Sequence, residues 1–211
     1  LAGDPHQLPA LVSDKGKKYN YDRSLMSRLI ELKYPAELLN TQHRMHPNIV
    51  KFPNYNFYNN LLKTDYKQPE NSYNLNAFEI INVNGKEILE ETSYGNLEEV
   101  YKIIELEKEL KKYYNNIIVI SPYQYQCDLL KKNNKNLEIH TIDSFQGKEA
   151  DVILITTVRT NNKIGFWDDY RRLNVGLTRA KHILRVVGNI TNWKSQDGPL
   201  KELITFYEKN Y

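Results

Sequence analysis

Five polar segments combine guanidinium, amide and hydroxyl groups of the kind that phosphate binding uses. The first, residues 3–9, reads Gly-Asp-Pro-His-Gln-Leu-Pro and forms a polar turn after an apolar start. In a parallel α/β sheet, ligands sit beyond the carboxyl ends of strands, where Gln7 would reach a bound group; a plain Gly/Pro turn is the competing reading. The second, residues 41–47, offers Arg44, whose planar and permanently charged donor fork suits phosphate oxygens. His43 and His46 invite a metal reading, but no third or fourth ligand lies nearby, and no metal site is assigned. The third is Ser121-Pro122-Tyr123-Gln124, with a hydroxyl for a nucleic-acid phosphate and a ring for a base, or else an ordinary turn into a helix.

In the fourth, residues 141–151, Gly147 lets backbone approach a ligand closely, while Gln146, Lys148 and Glu149 crowd one turn with groups for phosphate, ribose or base. The fifth, residues 171–181, carries Arg172 and Arg179. On one continuous helix those two fall within about 20° of each other, with Gly176 between them as bare backbone for a partner's approach. A solvated basic face is the alternative there.

The elements that must position these segments alternate between short apolar runs and helix-length amphipathic stretches. Helices are expected over 24–32, 48–58, 97–113, 123–132, 168–181 and 200–208. Strands are expected over 37–40, 78–83, 117–121, 138–142, 152–158 and 183–188. The runs at 117–120 and 152–155 are apolar throughout, as in strands covered on both faces, which predicts an α/β fold with a mostly parallel sheet. Asn96 with Glu99 three positions on predicts a capped helix start. Residues 61–76 read as a surface excursion and 131–136 as a solvated loop. A boundary is expected at Tyr34-Pro35, making 1–34 the tail of one domain and 36–211 a second domain.

Composition bounds the partners. The 211 residues are 40% hydrophobic and 26% charged, which supports a core, and the formal charge of +3 permits nucleic acid without demanding it. One cysteine excludes an internal disulfide framework and a multi-thiolate zinc site; with no apolar span or signal pattern, the expected setting is intracellular and soluble.

Taken in order, the segments resemble the superfamily 1 helicases of the senataxin and nonsense-mediated-decay group. Residues 3–9 look like motif III, 42–47 like the Q-Y-R-M-H-P element, 121–123 like the T/S-P-Y element, 141–151 like motif V and 171–181 like motif VI. The resemblance implies a RecA-like (P-loop NTPase-type) domain of a two-domain motor that binds ATP and Mg2+ between its lobes and moves 5′ to 3′ on single-stranded RNA or DNA, as a monomer. It implies catalytic roles for Gln7, Arg44 and Arg179, with Arg44 and Arg179 as arginine fingers. Gln42, His43, Gln146, Gly147, Glu149 and Arg172 would line the nucleotide side, and Ser121, Pro122, Tyr123, Thr141 and Arg159 would face nucleic acid. His43 stands where the family often has Tyr, and Gly176 where it more often has a side chain. No phosphate loop or preceding magnesium-binding strand is present, so ATP and Mg2+ would be held mainly by a first domain and the chain alone is expected not to hydrolyse ATP. A degenerate RecA-like module that only binds nucleic acid or protein is the alternative.

Overall fold

The apolar runs become the centre of a sheet. In the computed structural model, which describes residues 1–10, 12–69 and 73–211, β3 (Phe78–Asn82), β6 (Ile117–Ser121), β7 (Glu138–Thr141), β8 (Ala150–Thr156) and β9 (Ala180–Gly188) form one sheet. Its order is β3-β9-β8-β6-β7 and every neighbouring pair is parallel. Two short pairs flank it: β1 (Thr41–Gln42) lies parallel to β2 (Lys63–Thr64), and β4 (Ile88–Glu90) makes a hairpin with β5 (Ser93–Gly95).

Eight helices accompany the strands among the described residues: α1 (Asp14–Lys18), α2 (Leu25–Glu31), α3 (Pro47–Phe57), α4 (Leu97–Leu110), α5 (Gln124–Asn133), α6 (Tyr170–Leu177), α7 (Ile190–Lys194) and α8 (Pro199–Asn210). Both sheet faces are covered, as continuous apolar strands require. One core joins α3, α6 and α8 to the sheet through Phe52, Leu173, Leu177 and Leu203; the other joins α4 and α5 through Val100, Ile103, Leu106 and Leu130. Cys127 lies in the second core, where burial pushes its thiol up to about 11.

Three expectations fail locally. The strand expected over 37–40 is irregular: Leu38 and Leu39 are exposed, so no apolar face holds it on the sheet. The helix expected over 168–181 stops at Leu177. There Thr178 Oγ1 donates to the Asn174 carbonyl at 2.7 Å and Arg179 Nε to the Val175 carbonyl at 3.0 Å, which satisfies last-turn carbonyls and ends the helix. Ala180 then opens β9, so the apolar spacing of Leu173, Leu177 and Ala180 runs from helix into strand. Gly176 faces the core: a Cβ there would meet Ile142 and Ile155 at 3.3 Å, so its small size serves helix-to-sheet packing and not a partner's approach. The excursion at 61–76 contributes β2, and part of it lies outside the described residues.

The cap expected at Asn96 forms, with its side chain accepting from Glu99 N at 3.2 Å. Glu99 itself points inward and is fully buried. It accepts from Thr156 Oγ1 at 2.5 Å, from Val158 N at 3.0 and 3.1 Å, and from Asn96 Nδ2 at 3.3 Å. Burial pushes its carboxyl up to about 7, and these donors pull in the opposite direction. A folded-state value above the ordinary 4.5 contributes stability below pH 4.5 that is lost as pH rises through about 7. On that basis ~3 kcal/mol is expected to disappear across this window. Glu99→Gln is expected to flatten the dependence of Tm on pH between about 5 and 8; an unchanged slope in a thermal-melt series contradicts the assignment.

Candidate active site

Arg44 and Arg179 both reach Thr178, one its carbonyl and the other its hydroxyl. The turn after β1 is built by Gln42, whose Oε1 accepts from Arg44 N at 3.1 Å and Met45 N at 2.8 Å. That turn aims the Arg44 guanidinium at the Thr178 carbonyl, 3.0 Å away, and at Glu149 Oε2, 2.5 Å away. Lys181 holds the other Glu149 oxygen at 3.1 Å. The Arg44 hydrogen bond is the main cause that keeps the Glu149 carboxyl below its usual range, with Lys181 adding to it.

Arg179 is 2% exposed, and its guanidinium is met by neutral acceptors. Nη1 donates to the Lys148 carbonyl and Nη2 to Gln7 Oε1, both at 3.3 Å, and Nη2 also donates to Thr178 Oγ1 at 3.0 Å. Burial first, then the charge of Arg44, pulls its pKa down to about 10. A buried cation beside a second cation, with no carboxylate paired to it among the described residues, is electrostatically prepared for an anion.

The segment around Gln7 is tied to this site by a short network. Gln7 Nε2 donates to Asp4 Oδ2 at 3.0 Å, and Tyr58 OH donates to the same oxygen at 2.6 Å. Asn174 Nδ2 donates to Tyr58 OH and to the His6 carbonyl, both at 2.9 Å, and Gln146 Nε2 donates to the Leu8 carbonyl at 3.1 Å. Gly147 sits in the left-handed region, φ +81°, and a Cβ added there would meet nothing within 4 Å, so its turn and not crowding calls for glycine.

A cleft of about 600 Å3 opens beside Arg44, lined by His43, Asp65, Tyr66, Glu149, Lys181 and His182 among others. The His43 ring is exposed, with Nδ1 3.0 Å from Asp65 Oδ2. His46 acts elsewhere: its Nδ1 accepts from Asn48 N at 3.1 Å and caps α3.

The structure therefore links Gln7 to Arg179 and Glu149 to Arg44, both arginines bonding Thr178, with Gln42 positioning Arg44 and Gln146 reaching the Leu8 carbonyl. Arg172 is not among them. Because α6 ends before Arg179, the two arginines share no helical face, and Arg172 lines a separate cavity of about 510 Å3 with Tyr94, Tyr123, Arg159 and Phe166. The residues expected to face nucleic acid lie mostly inside. Ser121 is fully buried with Oγ accepting from Tyr123 N at 3.2 Å, Pro122 is buried, and Tyr123 is 2% exposed. Arg159 forms a buried ion pair with Glu87 at 2.9 Å, and Thr141 is half-buried at the end of β7. Sequence reasoning missed Glu87, Asn174 and Phe166, and read Glu99 only as part of a helix cap. Of these, Asn174 lies within the fifth segment, and Phe166 follows a glycine in a polar stretch.

A five-stranded parallel sheet covered on both faces, with arginines converging beside a cleft, defines an α/β domain of the RecA-like, P-loop NTPase type. The chain belongs to the family described as AAA domain, which matches residues 21–191. It is 38% identical to an uncharacterised ATP-dependent helicase of Methanocaldococcus jannaschii, over 97% of this chain and 34% of that protein. Helicase SEN1 of Saccharomyces cerevisiae is 36% identical over 90% of this chain and 10% of its own length. For the probable helicase senataxin of Homo sapiens the values are 33%, 90% and 8%. The resemblance to senataxin-group superfamily 1 helicases is thus borne out, and the chain spans about a third or less of these relatives. Among the described residues no helix is long and apolar enough to cross a membrane.

Proposed function

We propose that these residues form the second motor lobe of an ATP-dependent helicase that translocates 5′ to 3′ on single-stranded RNA or DNA. The observation that carries the reading is Arg179, a buried guanidinium with neutral partners beside a second arginine. Arg44 and Arg179 act as arginine fingers toward the terminal phosphates, and Gln7, bonded to Arg179, senses that end of the nucleotide. Phosphoryl transfer depends on positioning and charge stabilisation, and a finger delivered from a second lobe ties the chemical step to closure of the cleft.

His43, Gln146, Gly147 and Glu149 line the nucleotide side. Glu149 keeps Arg44 and Lys181 oriented, and those two cations in turn hold its carboxyl below the usual range. The phosphate-loop and magnesium-binding motifs are not among these 211 residues, so ATP and Mg2+ are assigned mainly to a first motor domain. The relatives' helicase names support the nucleic-acid partner.

ATP hydrolysis by the full-length protein, measured with and without a single-stranded oligonucleotide, tests the reading. Stimulation of at least about tenfold is expected, since cleft closure is coupled to strand binding. Strand binding with no hydrolysis would instead identify a degenerate binding module.

A further inference from the structure

The cavity bounded by the β4–β5 hairpin and residues 165–172 is not used by the proposed hydrolytic site. Its walls are Thr92 and Tyr94 of the hairpin, Arg159 after β8, and Gly165, Phe166, Asp168, Asp169 and Arg172 leading into α6. At about 510 Å3 it falls within the range of about 300–1,000 Å3 typical of small-ligand sites. It lies past the carboxyl ends of β6 and β8, which lead into Tyr123 and Arg159.

Two guanidinium–aromatic stacks build it: the Arg159 guanidinium lies 3.8 Å from the centroid of Tyr94, and that of Arg172 lies 4.9 Å from that of Phe166. Phe166 is 45% exposed, so one part of the ring remains open. Tyr123 supports it from beneath, with ring centroids 5.2 Å apart and Tyr123 OH accepting from Phe166 N at 3.3 Å. Gly165 permits this approach, since its φ is +60° and a Cβ there would collide with Tyr123 OH.

The segment that presents Arg159 beside Gly165 is held by strain. Val158, a β-branched residue, sits at φ +73°, and the buried Glu99 carboxyl group fixes its N–H. Strain of this kind persists only where surroundings over-determine it and gathers at functional sites. Here it sets the loop that presents Arg159, whose charge is neutralised by Glu87. Asp168 lines the cavity with an exposed carboxylate, while that of Asp169 caps α6 and pairs with Arg171 at 3.4 Å and Arg172 at 3.8 Å. Carboxylates repel phosphate and accept hydrogen bonds from base amines.

We infer that this cavity takes a single nucleobase of a bound strand, stacked on Phe166 with its amine edge toward Asp168. The inference rests on the nucleic-acid reading above and adds a base contact to it. The test uses the full-length protein and a 12-nucleotide cytidine strand at fixed salt, with an abasic site moved one position at a time, read by fluorescence anisotropy. One position is expected to lose about tenfold in affinity on base removal. In Phe166→Ala the intact strand is expected to bind about tenfold more weakly and that position to lose its sensitivity, while Phe166→Trp restores both. A flat abasic profile in a wild-type protein that binds the strand overturns the base pocket and leaves the nucleic-acid reading standing. Failure to bind any strand overturns both. Phe166-dependent binding of cytidine monophosphate with a flat strand profile assigns the cavity to a free nucleotide and also overturns the inference.

Discussion

Arg179→Ala is expected to reduce ATP turnover in the full-length protein by at least about 10³-fold while single-strand affinity stays within about twofold; finger arginines in GTPases are worth about 10³–10⁵. The size follows from its setting. The guanidinium is 2% exposed, is bonded to Gln7 and Thr178, and carries charge next to Arg44. Alanine removes a charge whose burial is unfavourable in the resting protein, only partly offset by Glu149 and Asp4, and further offset when an anion arrives. The loss should therefore fall on kcat more than on KM. Steady-state hydrolysis with saturating single strand checks this, alongside a melting curve showing that the fold survives. Wild-type turnover in the variant refutes the finger assignment.

Glu87→Ala is expected to cost about 3–5 kcal/mol of stability, because it leaves the Arg159 charge buried without its carboxylate. The two side chains, Arg159 and Glu87, are 8% and 5% exposed, and Glu87 also accepts from Thr160 N at 2.7 Å. Burial alone would push the Glu87 carboxyl up; the Arg159 and Thr160 hydrogen bonds outweigh it and hold it below its ordinary value. For a chain of this length the loss corresponds to a fall in Tm of about 6–20 °C, read by calorimetry. Glu87→Gln, which keeps the acceptor and the shape, should lose less. A Tm within about 2 °C of wild type for Glu87→Ala would show that the pair contributes nothing net.

The parallel sheet was legible because two short runs, 117–120 and 152–155, are apolar throughout, as strands covered on both faces are, and both lie inside the sheet. Arg44 sits just past the two-residue β1, whereas the strand expected before it over 37–40 is irregular. The end of α6 was not legible, because apolar spacing continues past it. What stops the helix is a Thr178 hydroxyl and an Arg179 side chain folding back onto carbonyls, and neither alters the hydrophobic pattern. The buried state of Ser121 and Tyr123 was equally hidden. Residue type indicates what a hydroxyl or ring is able to bind, whereas the 165–172 segment and the hairpin decide whether it faces solvent. Glu99 reads in the sequence as a capping residue and is in the fold the buried anchor of a strained loop, a role created by contacts 57 and 59 positions away.

The sealed thiol of Cys127 leaves these 211 residues without an accessible cysteine. Its value of about 11 keeps it protonated at neutral pH, and the second core shields it from reagents. A cysteine introduced at an exposed position such as Tyr55 therefore becomes the preferred point for attaching a dye or spin label, with the native thiol left in place.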